Sequence, residues 1–150
     1  MKYFTTLLVL LLGLSTAWSQ TTNPLLGQWK TIDDETGRIK SVVEITERDG
    51  RFYGQIIELF RLPEEDQNPL CTGCEDDRKD QPSLGMEIVR DMEASGKDKE
   101  WEEGTICDPK TGKIYDCEMW LDSDNMDELK VRGYIYFLFR TQSWMRVASE

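Results

Sequence analysis

The feature that most constrains this chain is a rhythm of two. Past about residue 20, apolar and polar residues alternate in short runs, and clusters of Gly, Asp, Asn and Pro separate the runs. Alternation of this kind gives an extended strand one apolar face and one wet face. The pattern predicts strands near 27–32, 39–47, 51–60, 86–92, 101–108, 113–121, 129–138 and 141–147. A single long connection remains, at about 61–85, and no segment carries a helical stripe. A length of 150 residues leaves room for one domain.

Two turns assign the faces. Asp49-Gly50 is a two-residue hairpin signal, because both central positions take positive φ. It sets Arg48 opposite Arg51, Ile45 opposite Gly54 and Val43 opposite Ile56, which gathers Ile39, Val43, Ile45, Phe52, Ile56 and Phe60 on one core face. The turn at Pro109-Lys110-Thr111-Gly112 puts Ile106, Tyr115, Cys117, Met119 and Leu121 on a common inner face. The next strand adds Leu129, Val131, Gly133, Ile135 and Phe137. A meander of eight strands, each apolar on one side, satisfies those sides by curling into a closed antiparallel up-and-down barrel, which also removes exposed edges. A two-sheet β-sandwich is the alternative architecture.

The first residues stand apart. Lys2 is followed by the apolar run Leu7–Leu14 and by Ala17-Trp18-Ser19, a small-x-small cleavage signal. Residues 1–19 therefore read as a signal peptide and 20–150 as the mature domain, periplasmic or secreted. No cysteine follows the cut to carry a lipid, and the apolar run is well short of the ~18–20 residues of a spanning helix. The mature chain is not expected to enter a membrane. The whole chain carries −11, and the leader holds one charge, Lys2, so the mature part stands one lower at −12. Such a charge disfavours nucleic acid and anionic bilayers as partners. There is no histidine, which removes triads of the Ser-His-Asp or Cys-His type and the commonest metal ligand.

Several segments together resemble domain-of-unknown-function family 2147, found in exported bacterial proteins. They include Gly27-Gln28-Trp29-Lys30-Thr31, Tyr53-Gly54-Gln55-Ile56, Cys71-Thr72-Gly73-Cys74, Gly104-Thr105-Ile106-Cys107-Asp108-Pro109, Gly112-Lys113-Ile114-Tyr115-Asp116-Cys117 and Arg140-Thr141-Gln142-Ser143-Trp144. The resemblance implies no particular reaction. In this chain Tyr136 and Phe139 replace residues that are usually glycine there, and Cys107 replaces an aliphatic one. More distantly, Gly27-x-Trp29 at the start of the first strand resembles the opening of lipocalin-like barrels. That likeness implies an arginine from the end of the chain packed over the tryptophan to seal the barrel. An antiparallel last strand makes Arg146 a better fit than Arg140.

The motifs with chemical meaning are few. Cys71-x-x-Cys74, followed by Glu75, Asp76 and Asp77, reads as a local structural disulfide, since those acids disfavour a thiolate. A four-cysteine zinc site is not expected, because Cys107 and Cys117 fall on opposite faces of their hairpin. Cys117 reads as a buried thiol and Cys107 as the odd one, reactive or free to link chains. Asp122–Glu128 lacks the glycine and the distant glutamate of a calcium loop and reads as a turn. No metal or cofactor is expected.

Ser41 opposite Glu58 is the one polar feature that the pairing turns inward, and alternation puts Arg90 on the face of Met86, Ile88 and Met92 as its partner. The leading expectation is a non-enzymatic barrel holding a small, partly apolar ligand. Its walls would be Phe52, Ile56, Phe60, Tyr115, Met119 and Ile135, and Ser41, Glu58 and Arg90 would orient the ligand, unless Glu58 simply lies at a solvated strand end. The alternatives are a filled barrel acting as an envelope interaction module, through an outward patch of Trp101, Trp120 and Trp144, and a carboxylate-based hydrolase. Nothing in the sequence speaks to oligomeric state.

Overall fold

In the computed structural model, which describes residues 22–148, eight strands run in chain order. They are β1 (Gly27–Ile32), β2 (Ile39–Arg48), β3 (Arg51–Leu59), β4 (Glu87–Ala94), β5 (Glu100–Cys107), β6 (Ile114–Leu121), β7 (Glu128–Ile135) and β8 (Leu138–Arg146). Each pairs antiparallel with the next, and β8 pairs back onto β1 through Trp29↔Arg146 and Thr31↔Trp144, so the sheet is a closed barrel. Closure leaves the sheet without an unpaired edge.

The local reasons are those of the hairpins. At Asp49-Gly50 both residues have positive φ, and the pairings Arg48↔Arg51, Ile45↔Gly54 and Val43↔Ile56 follow from that turn. Asp108 caps the next tight turn through the N–H of Lys110 and the hydroxyl of Thr111. The core runs up the middle from Trp29, Val43, Ile45, Phe52, Ile56, Val89, Met92, Trp101, Met119, Leu129 and Trp144.

Bulges correct the alternation in several places, because one extra residue on one strand exchanges inside and outside for everything beyond it. In β3 the extra residue is Ile57, so Val42 faces Glu58 and Ser41 faces Leu59, not Glu58. Phe60 thereby leaves the core face and is exposed, and Ile39, past a register shift at Thr31/Ile32, is only half-buried. In β4, Phe52↔Met92, Gly54↔Val89 and Gln55↔Glu87 spend extra residues at Asp91 and Ile88, which puts Arg90 outside while Met92 stays inside. In β5, Trp101↔Met119 and Gly104↔Cys117 leave an extra residue in Glu102-Glu103, with Glu103 at φ 63°. Trp101 is turned into the core by that shift, edge-on to Phe52 with ring centroids 6.3 Å apart.

The last hairpin is shorter than the alternation suggests. β7 ends at Ile135, which pairs with Leu138 across the two-residue turn Tyr136-Phe137, with Tyr136 at φ 54°. Phe137 is therefore at the tip and not in the core, and the register Leu129↔Trp144 carries Trp144 inside. Of the three tryptophans expected outside, Trp120 alone lies there.

Candidate functional site

The barrel has a sealed end and an open end. At the sealed end Trp29 is fully buried, its indole N–H donating to the Leu25 carbonyl at 2.9 Å. The Arg146 guanidinium lies 4.1 Å from the Trp29 ring centroid and donates to the carbonyls of Pro24 (2.7 Å) and Leu26 (3.3 Å). Gly27 opens β1 at a φ of 115°, a conformation that favours glycine. Phe52, Met119 and Ile56, expected as ligand walls, are buried in this packed core.

Toward the open end the interior becomes more polar. Thr31 and Ser41, paired across β1 and β2, share a buried hydroxyl–hydroxyl hydrogen bond of 2.7 Å. Ser41 is thus inside, as expected, but its partner is Thr31, which sequence reasoning missed because its pairing depends on the β1–β2 register. Beside Thr31 and one inward pair above the Trp29–Arg146 seal, Trp144 is 1% exposed, and its indole N–H has no acceptor among the described residues. The same holds for Trp101, 3% exposed and packed on Phe52 in the lower core. An unpaired buried donor forfeits about 1–3 kcal/mol, which makes each a place where an acceptor is wanted. Higher still, Tyr115, Ile106 and Ile135 are half-buried around Gly133, whose missing Cβ would stand 3.2 Å from that of Tyr115. Arg140, opposite Gly133, reaches Asp34 in the β1–β2 loop with hydrogen bonds of 3.0 and 2.6 Å.

The proposed Ser41–Glu58–Arg90 constellation does not form. Glu58 is on the outer, exposed side of the Ile57 bulge. Arg90 is outside as well, donating to Asp77 at 2.7 and 2.8 Å and to Glu87 at 3.0 Å. Its partners are those of a strap: they fasten the long connection between β3 and β4 to the barrel wall. Buried Arg78 does the same, donating to the Glu87 carbonyl and to Asp76. The Arg78 guanidinium beside Asp76 holds that carboxyl at about 2. The strap also carries the Cys71–Cys74 disulfide. Inside the barrel, burial pushes the Cys117 thiol up to about 12, which leaves it a packing residue. Cys107, expected to be accessible, is buried under the strap on the outer side of β5.

Two further surfaces are notable. At the open end Tyr136, Phe137, Leu138 and Phe139 are 95, 87, 65 and 62% exposed, one run of four apolar side chains at a hairpin tip. On the outer wall, Arg132 sits 4.7 Å from both the Trp120 and Phe139 rings. Two open depressions, of about 210 and 280 Å³, flank this stack over β5 and β6. Neither lies inside the barrel.

A closed eight-stranded meander, sealed at one end by an arginine stacked on a Gly-x-Trp tryptophan, defines a lipocalin-like barrel. A solved structure bears this out: a protein from the human pathogen Helicobacter pylori, reported to belong to the lipocalin family, superposes with a TM-score of 0.67 over 83% of each chain at 19% identity. The chain belongs to the DUF2147 family, described as an uncharacterized protein conserved in bacteria, whose model matches residues 27–146. No curated protein matches it.

Proposed function

We propose that this is an exported protein that takes a small, partly apolar ligand bearing a hydrogen-bond acceptor into its barrel. The observation that carries the reading is the inward, fully buried indole N–H of Trp144, which has no acceptor among the described residues. A lipocalin-like scaffold supports it, as an analogy of fold. Export rests on the leader-like residues 1–19, which lie outside the described residues. Trp29, Phe52, Trp101 and Met119 fill the core, and the ligand contacts are Trp144, Tyr115, Ile135 and the Thr31–Ser41 pair, with Arg140 at the mouth. No catalytic role is assigned.

Native mass spectrometry of the protein purified from its own host tests the reading. The expected result is a retained small molecule whose occupancy falls about tenfold in Trp144→Phe, the loss of one hydrogen bond of ~1.4 kcal/mol. A bare chain mass, unchanged after exposure to a lipid extract of the host, would overturn it. The filled core and the apolar tip at 136–139 favour a second reading, an envelope interaction module. That reading predicts the bare mass.

A further inference from the structure

Three sulfurs come together between the strap and the outer side of β5. Cys71 and Cys74 are bonded to each other, and the Cys107 Sγ lies 3.9 Å from the Cys74 Sγ. All three residues are buried. The strap is seated tightly here: Gly73-Cys74 lies backbone to backbone against Thr111-Gly112, with no room for a Cβ on either glycine. A free thiol is thus held beside one end of a disulfide, by a wall on one side and a fastened loop on the other.

We propose that Cys71, Cys74 and Cys107 form a site of internal thiol–disulfide exchange, in which Cys71 and Cys107 compete for Cys74. In the forward step the Cys107 thiol gives up its proton to solvent, and its thiolate attacks the Cys74 Sγ. The Cys74–Cys107 bond forms and the Cys71–Cys74 bond breaks. The electron pair leaves on the Cys71 Sγ, which takes up a proton. One disulfide and one thiol are present before and after, so no oxidant or reductant is consumed. The two isomers differ in what they hold. The Cys71–Cys74 bond spans a separation of three residues within the strap, whereas Cys74–Cys107, 33 residues apart, bonds the strap to the barrel wall. The wider link removes more freedom from the unfolded chain.

The site is selective by placement. Cys117 belongs to the inner face, across the sheet from the trio, and does not take part. The charges around Cys107 set the pace: burial raises its pKa, Asp76 and Asp108 reinforce that, and Arg78 and Arg90 oppose it. Exchange is accordingly slow near neutrality and faster in mild alkali.

The test is a disulfide map of the folded mature protein, held at pH 7 or 9 (roughly below and near an ordinary thiol pKa), quenched with acid, alkylated and digested without reductant. The expected result is a Cys74–Cys107 peptide pair with alkylated Cys71, more abundant at the higher pH and unchanged in Cys117→Ser. In Cys71→Ser, a glutathione-disulfide buffer should oxidise Cys74 and Cys107 to a single cross-link. A wild-type map with Cys71–Cys74 alone at both pH values overturns the proposal, as do two persistent thiols in folded Cys71→Ser. Should that variant fail to fold, the wild-type map decides alone.

Discussion

The two ends of the barrel are built on opposite plans. At the sealed end, around Trp29, polar groups are answered from within the chain: the indole by the Leu25 carbonyl, the Arg146 guanidinium by the Pro24 and Leu26 carbonyls and the tryptophan face. Toward the open end, a strap is fastened from outside, and four apolar side chains stand exposed at the β7–β8 tip. The sealed end is closed by groups from within the chain and the open end exposes apolar ones, while the two indoles without an acceptor among the described residues, Trp101 and Trp144, lie in the packed core between.

Trp29→Ala should cost about 3–5 kcal/mol in urea unfolding, because it empties the floor and leaves Arg146 without its stacking partner. A loss under about 1 kcal/mol would erase the distinction between the ends.

A smaller effect is expected at the strap. Asp76 has its pKa lowered from 3.8 to about 2 by its hydrogen bonds to Arg78, so its contribution is fully present above the unfolded value and is lost as pH falls through the folded one. Proteolysis of the strap should therefore rise between about pH 4 and pH 2, while the barrel strands stay protected from hydrogen exchange; Asp76→Asn should make the strap labile at every pH and remove that dependence.

The smallest effect is expected at the tip. Phe137→Ser should alter unfolding stability by no more than about 0.5 kcal/mol, since the side chain touches little of its own chain. A larger loss would show that the open end contributes to the fold after all.

How much of this was legible beforehand differs from hairpin to hairpin. The pairing of Ile45 with Gly54 follows from Asp49-Gly50, where the turn residues themselves demand the geometry. The seal of Trp29 by Arg146 was accessible through a resemblance and the direction of the last strand. Glu58, Arg90, Trp101 and Trp144 were misplaced for one shared reason: alternation is a count, and an uncounted residue inverts it. The extra residues include Asp91 and Glu103, which adopt positive φ without being glycine, and the Tyr136-Phe137 turn has no turn-forming residue to announce it.

By itself the sequence determined that eight apolar-faced strands follow one another and pair with their neighbours, because side-chain alternation and turn preferences act within a few residues of the chain. Tertiary structure alone decided which side chains share the interior, that Thr31 rather than Glu58 meets Ser41, and that Cys107 lies beside Cys74. Those outcomes depend on register and on closure of the sheet, which are set by the packing of all eight strands together and by no single segment.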